Sequence, residues 1–311
     1  MTRRAVVTGG AGFVGSHLVE VLRDRDWSVL VVDDLSSGQM GNLTAAKHRG
    51  VQVHVTDVRA PEVADVLGRF GPEVVFHLAA QSKVRPSMDD PIHDAEINVI
   101  GTLNVLQASL SAGARKVCFA SSGGAVYGDG VKLPAKETAA KSPASPYGIS
   151  KKIVEDYFRW YREVHGLEYT LLALANVYGP RQDASLEGGV VAIFVQAMLE
   201  GRRPTIFGDG RQTRDFVYVG DVCDAFVRAA DTADGFFLNV GTGTDTSIDR
   251  LYELIAGATG FPSRPEYAAA KPGDIYRSVI DPSRAKRELG WEPWTPLAEG
   301  LQRTVEWARA G

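Results

Sequence analysis

The chain is poor in cysteine, in long apolar runs and in net charge of either sign, and each shortage removes a class of protein. Two cysteines in 311 residues, Cys118 and Cys223, stand far apart with no CxxC or Cys/His cluster beside them, which excludes a disulfide framework and a thiolate zinc site. Both are expected as buried, reduced thiols, and no metal site is expected. No apolar run is long enough to cross a bilayer, and the opening "MTRRAVVTGG" breaks into glycine too soon for the core of a signal peptide. The expectation is a soluble, cytoplasmic protein. A formal net charge of −4 provides no basic field for a nucleic acid or an anionic membrane, leaving a small anion held by local cations as the charged partner to look for.

What the chain does have is 44% apolar residues and ordinary charge, enough for a large core or for two lobes around a cleft. Through the first half, short β-branched runs ("RRAVVT", "SVLVVD", "VQVHVT", "EVVFHLAA", "KVCFASS") alternate with amphipathic stretches such as "FVGSHLVEVLRD". Near-continuous apolar strands separated by helices predict an α/β fold, a doubly wound parallel sheet of the Rossmann type. A helix is predicted from Pro146 to His165, followed by a strand "EYTLLALANV". Beyond residue 175 turn residues accumulate, so residues 1–175 with 216–241 are read as the sheet domain and 176–215 with 242–311 as a smaller lobe.

"VVTGGAGFVGSHL" places Gly9, Gly12 and Gly15 after the first strand and at the head of a helix, where a pyrophosphate can lie on free N–H groups. The second strand ends in Asp33, whose carboxylate suits the adenosine ribose hydroxyls and repels a 2′-phosphate, favouring NAD over NADP. Neighbours of these residues, Phe13, Val14 and Asp34, belong to the same predicted cofactor site. Asp57, beside Val58, either contacts the adenine amino group or caps the following helix. "HLAAQ" ends the fourth strand with Ala79 and Ala80, small enough for a dinucleotide to lie on the backbone, flanked by Leu78 and Gln81.

Tyr147 and Lys151 stand four residues apart on one helix face. A free phenol titrates near ~10, and lowering it by about three units takes roughly 4 kcal/mol of electrostatic help, which a neighbouring ammonium and a nicotinamide ring can share. The pair then suits a general base for a carbinol whose hydride goes to NAD.

The segments "TGGAGFVGSH", "HLAAQ", "SSGGAVYG", "YGISK", "NVYGPRQ" and "TRDFVYVGD", in this order, resemble the extended short-chain dehydrogenase/reductase family, most of all its nucleotide-sugar 4-epimerases of the UDP-glucose and UDP-glucuronate type. The resemblance covers nearly the whole chain. It implies that Tyr147 takes the proton of the sugar O4, that Lys151 holds the nicotinamide ribose, and that Asn98 supports this network or else faces a neighbouring helix. It also implies a homodimer paired through helices near residues 92 to 112 and 146 to 165. Two competing readings use the same residues: a nucleotide-sugar reductase or dehydrogenase that releases its cofactor, and a non-enzymatic NAD sensor.

One departure falls at Gly123, where many of these epimerases carry a catalytic serine or threonine. Ser121, Ser122, Gly123, Gly124 and Ala125 offer no carboxyl group, so this wall supports oxidation and reduction at one carbon but not dehydration or decarboxylation. Ser122 is the candidate for hydrogen-bonding O4 or the phenol, and the glycines are expected to leave room for a substrate group, a C6 carboxylate met by Arg181 or the serines being one possibility. For a UDP-sugar the resemblance points to Arg214 and Lys271, with Arg277 nearby, on the diphosphate and to Asn176 on a phosphate or sugar oxygen. It further points to Val190 at the head of a helix, Phe207 on the uracil, Asp274 at the ribose and Ser82 near the sugar. Ala173, where relatives carry arginine in "LRxxNVYGP", has no evident reason in the sequence.

Overall fold

The computed structural model describes residues 2–184, 189–270 and 275–310. Seven strands form one parallel sheet: β1 (Arg4–Thr8), β2 (Ser28–Asp33), β3 (Gln52–Val55), β4 (Val74–His77), β5 (Lys116–Ser122), β6 (Glu168–Leu174) and β7 (Phe236–Val240). Their order is β7-β6-β5-β4-β1-β2-β3. The chain winds outward from β1 in one direction and returns through β4 in the other, which opens a crevice at the carboxyl ends of β1 and β4.

Alternation along the strands sorts the apolar residues onto two faces. Ala5, Val7, Val31, Phe76 and Leu238 pack under α1 (Phe13–Asp24) and the later helix Val219–Ala229. Val6, Val32, Val75, Phe119 and Leu171 pack under helices Val63–Phe70, Thr102–Ser111 and Pro146–His165. Leu18, Val19 and Leu22 of α1 are completely buried, each contributing about 1.5–3 kcal/mol of apolar burial.

The helix Pro146–His165 is delimited as its sequence dictates. Ser145 accepts from the Gly148 N–H at 3.2 Å, Pro146 occupies the first turn, and Gly166 closes the end at φ +72°. The stretch preceding β5 is less regular: α-helical turns at Pro91–Ala95 and Thr102–Ser111 flank a wide π turn, Glu96–Gly101, which carries Asn98.

The predicted continuous strand "EYTLLALANV" is in fact two. β6 stops at Leu174, and Asn176–Tyr178 pairs with Phe216–Tyr218 instead. The cause lies next door, since β5 ends at Ser122 and turns into a short helix, leaving the continuing chain without a ladder partner on that side. Helices Val190–Leu199, Ile248–Thr259 and Leu297–Ala310 then build the second lobe with short strand pairs, Thr205–Phe207 beside Glu266–Ala268 and Thr213–Arg214 between Thr246–Ser247 and Arg277–Ser278. Val191, Phe194, Ile206, Leu251 and Leu301 of this lobe belong to the same apolar cluster as one face of the sheet. Among the described residues no helix is long and apolar enough to cross a membrane.

Candidate active site

At the head of α1 the glycines are required by contact. Gly9 has φ +68°, and a Cβ there would stand 2.6 Å from the Ala79 nitrogen; one at Gly15 would stand 2.1 Å from the Gly9 oxygen. Gly12 is the N-cap and supplies no side chain to the first-turn N–H groups, and a Cβ on it would meet only the Gly9 oxygen, at 3.2 Å. Phe13 and Val14 therefore present their backbone at an uncapped, positive helix end.

Asp33 is buried, its two oxygens accepting from the N–H groups of Ala11 and Leu35, each at 2.9 Å. Burial raises its pKa and these two donors oppose the rise. Asp34 turns aside to accept from the Ser36 N–H and hydroxyl. The capping alternative for Asp57 does not hold: the next helix has Glu62 at its N-cap, while Asp57 accepts from the Arg59 N–H at 2.7 Å and its guanidinium at 2.7–3.1 Å. Arg59, unmarked by any motif, holds the Asp57 carboxyl below its ordinary pKa and also reaches Glu96 at 3.0 Å. Val58 is buried where Gly101 of the π turn has no side chain; a Cβ there would lie 2.9 Å from it.

The crevice floor is tied by a chain of hydroxyls and one imidazole. His77 is completely buried, with Nδ1 2.6 Å from Thr8 Oγ1 and Nε2 3.0 Å from Thr102 Oγ1, while the Thr102 hydroxyl donates to the Asn98 carbonyl at 2.7 Å. Thr102 has its proton committed, so Nε2–H donates and Nδ1 accepts from Thr8. Burial drives the His77 pKa down to about 3, keeping it neutral. Thr8 Oγ1 also receives the Ala79 N–H at 3.2 Å, and the Leu78 N–H bonds the Thr8 carbonyl at 3.1 Å, which fixes Leu78, Ala79 and Ala80 along the crevice. Gln81 donates to the Lys83 carbonyl and to Asp94; Asn98 donates to the Gln81 carbonyl and to Asp94, each at 2.9 Å. Asn98 Oδ1 and Ser121 Oγ are buried without a partner, among the polar atoms a ligand in the crevice would satisfy. Ser82 is exposed at the rim.

Tyr147 lies in the first turn of its helix, with its N–H bonded to Ser87 Oγ at 3.1 Å and its phenol hydrogen-bonded to Ser122. Lys151, one turn on, is buried, donates to the Ala120 carbonyl at 3.0 Å, and lies 5.8 Å from the Tyr147 ring centre and 4.4 Å from that of Phe119. Burial dominates both titrations. The phenol is pushed up to about 12, opposed by the Ser122 hydrogen bond and reinforced by the Asp94 charge, and the ammonium is pushed down to about 7, opposed by Asp94. Of the two contributors expected to depress the phenol, the ammonium and a nicotinamide ring, the first does not by itself overcome burial.

The space expected at Gly123 is also corrected. A Cβ there would stand 2.8 Å from Ile280 Cδ1, 3.2 Å from its Cγ2 and 3.3 Å from the Ala173 carbonyl, so Ile280 fills it. Gly124 is open, with Ser278 Oγ 3.9 Å from its Cβ position. Ala173 is buried in a cross-strand row with Ser121 and Asn239, which accounts for a small side chain at that position.

The model of the NAD dependent epimerase/dehydratase family matches residues 5–241. The chain belongs to this family. It is 48% identical to a UDP-glucose 4-epimerase of Mycolicibacterium smegmatis, over 98% of both chains, and 41% identical to a putative UDP-glucose 4-epimerase of Methanocaldococcus jannaschii, again over 98% of both. Among solved structures, the UDP-glucose 4-epimerase of Thermotoga maritima with UDP-glucose superimposes with a TM-score of 0.96 at 44% identity, covering 99% of each chain.

In this epimerase/dehydratase family member the residues expected at the nucleotide are less uniformly placed. Asn176 is half-buried, its N–H and Nδ2 both directed at the Asp215 carbonyl, at 2.8 and 3.3 Å. Val190 is the first residue of the helix Val190–Leu199, with Gly189 as N-cap. Phe207 is exposed at the end of its strand, and Arg214 donates to the Thr213 carbonyl at 2.8 Å. Arg277 is paired with Asp245 at 2.5 Å. Arg181, expected either at a substrate carboxylate or as an exposed loop residue, has its guanidinium bound to Glu20 of α1 at 2.6 Å and to Ser16 Oγ at 3.3 Å. Lys271 and Asp274 lie outside the described residues.

Proposed function

We propose that this enzyme inverts C4 of a UDP-linked hexose, interconverting UDP-glucose and UDP-galactose with NAD retained through the cycle. The observation that carries the reading is the Tyr147, Lys151 and Ser122 cluster set at the carboxyl end of the same sheet whose glycine turn and Asp33 form the dinucleotide cradle. The residues fit NAD: two glycines, Gly9 and Gly15, whose Cβ positions are taken by backbone, an uncapped helix end at Gly12, and buried orphan atoms on Asn98 and Ser121. When bound, NAD supplies reversible hydride acceptance at C4.

The chain's own residues handle the proton. Tyr147 receives the O4 proton and returns it after the 4-keto sugar has turned over; Ser122 aligns the phenol, and Lys151 contributes charge beside it. A carboxyl-free wall at residues 121–125 leaves no second acid for elimination. The relatives' names favour glucose. Ile280 in the space at Gly123 and Arg181 bound to Glu20 weigh against a hexuronate, for which the opening at Gly124 and the serines are the remaining support.

Residues 1–175 with 216–241 serve the cofactor and the remainder serves the nucleotide, with Asn176, Val190, Phe207, Arg214, Lys271 and Asp274 as its contacts. The enzyme acts in the cytoplasm, and as a homodimer, the pairing supported by exposed Ile92 in the short helix Pro91–Ala95, Ile100 in the π turn, and Ile149, Ile153 and Trp160 on the helix Pro146–His165. Incubation with UDP-glucose, UDP-galactose, UDP-glucuronate and UDP-N-acetylglucosamine tests the assignment. C4-inverted product from the first pair, with near-stoichiometric NAD in the supernatant of the denatured protein, is expected; turnover only with added cofactor, or only of the uronate, overturns it.

A further inference from the structure

Asp94 sits in the short helix Pro91–Ala95 with no exposed surface. Its Oδ1 accepts from Gln81 Nε2 at 3.0 Å and Asn98 Nδ2 at 2.9 Å, and its Oδ2 from Ser150 Oγ at 2.7 Å. All three donors are neutral. A carboxylate buried on neutral donors alone is costly, and a cation nearby offsets that cost. The next residue after Ser150 is Lys151, itself buried, with a backbone carbonyl and an aromatic ring as its neighbours from β5. The titratable groups facing Lys151 are Asp94 from the short helix, neutral His77 from β4, and Tyr147 from its own helix.

We propose that Asp94 is the positioning residue of the reactive pair: its carboxylate supplies the negative charge that keeps Lys151 protonated beside Tyr147, and the same two oxygens hold Gln81 and Asn98 against the crevice. The electrostatic coupling of Asp94 to both Lys151 and Tyr147 agrees with this placement. The inference rests on the proposed roles of Tyr147 and Lys151.

The test is a 15Nζ-lysine NMR titration of the holoenzyme, with the Lys151 signal assigned by its loss in Lys151→Met. Asp94→Asn keeps the size of the side chain and removes its charge. It is expected to lower the Lys151 pKa by about one unit, the smaller end of what a nearby opposite charge does. Turnover at pH 7 should then fall about fivefold, the change in protonated fraction for such a shift, with KM within about twofold and the loss shrinking toward pH 5.5. Asp94→Glu should restore the titration. An unmoved Lys151 titration with a pH profile parallel to wild type overturns the proposal.

A stability cycle at pH 6 guards against misfolding: Asp94→Asn should cost less in a Lys151→Met background than in wild type. Should the single variant not fold, the double variant folds if the two charges support one another and stays unfolded if the carboxylate serves only its neutral donors, the second result overturning the coupling. A titration that moves in a protein without epimerase turnover fails the functional reading and leaves the coupling intact. An active enzyme whose titration does not move fails the coupling alone.

Discussion

The two ends of the crevice are built on opposite principles. At the adenosine end the chain removes side chains and satisfies its carboxylates in advance: Gly9 and Gly15 are held where any Cβ would collide with backbone, and Asp33 already accepts two N–H groups. At the reacting end the chain does the reverse, burying an ammonium and a carboxylate together with a phenol whose pKa burial has raised. The first end is made by geometry and tolerates no added atom; the second is made by charges held away from water and is sensitive to any change in their balance. Binding strength should therefore reside at one end and rate at the other.

The largest separation of the two is expected from Tyr147→Phe, which should lower kcat by about 10²–10⁴-fold, the usual contribution of a positioned proton-transfer group, while the NAD released on denaturation stays at the wild-type level. A parallel fall in NAD content would break the contrast. At the other end, Gly15→Ala places a methyl group 2.1 Å from the Gly9 oxygen. An overpacking penalty of about 1–3 kcal/mol should reduce retained NAD roughly tenfold, measured by cofactor released per protomer, with activity recovering as NAD is added.

Gly123 belongs by position to the reacting end but is constrained in the manner of the adenosine end. Gly123→Ala should destabilise by about 1–2 kcal/mol through Ile280, and Ile280→Val should relieve part of it, both read in thermal melts. The smallest effect sharpens the electrostatic half of the contrast. Lys151 has a folded-state pKa of about 7, below the unfolded value, so its contribution to stability is complete above that unfolded value and is lost as pH falls toward 7. Lys151→Met should accordingly flatten the pH dependence of the apoprotein Tm, which falls less between pH 10 and pH 7 in the variant than in wild type.

The parallel sheet between helices, the glycine turn and the helix Pro146–His165 were legible because each is encoded locally, in the apolar strand runs, turn residues and a cap followed by proline. Reading failed wherever a distant segment decided the outcome. Ile280 closes the space at Gly123 from more than a hundred residues away, Phe216–Tyr218 captures the continuation of β6, and Glu20 claims Arg181 across two lobes. Asp94 lacked a motif of its own, although an aspartate one helical turn before Asn98 on the same face is a pattern that could have drawn notice. Arg59 and His77 were missed for the same reason: their partners come together only in the folded chain.

The outermost strand of the cofactor sheet, β7, is supplied only after the chain has traversed much of the second lobe. A nascent chain therefore carries β6 with a bare hydrogen-bonding edge until Phe236–Val240 leaves the ribosome, an invitation to pair with other chains. Cutting the gene ahead of residue 236 would make that exposure permanent, so a closed cofactor sheet requires a translation product that runs through β7.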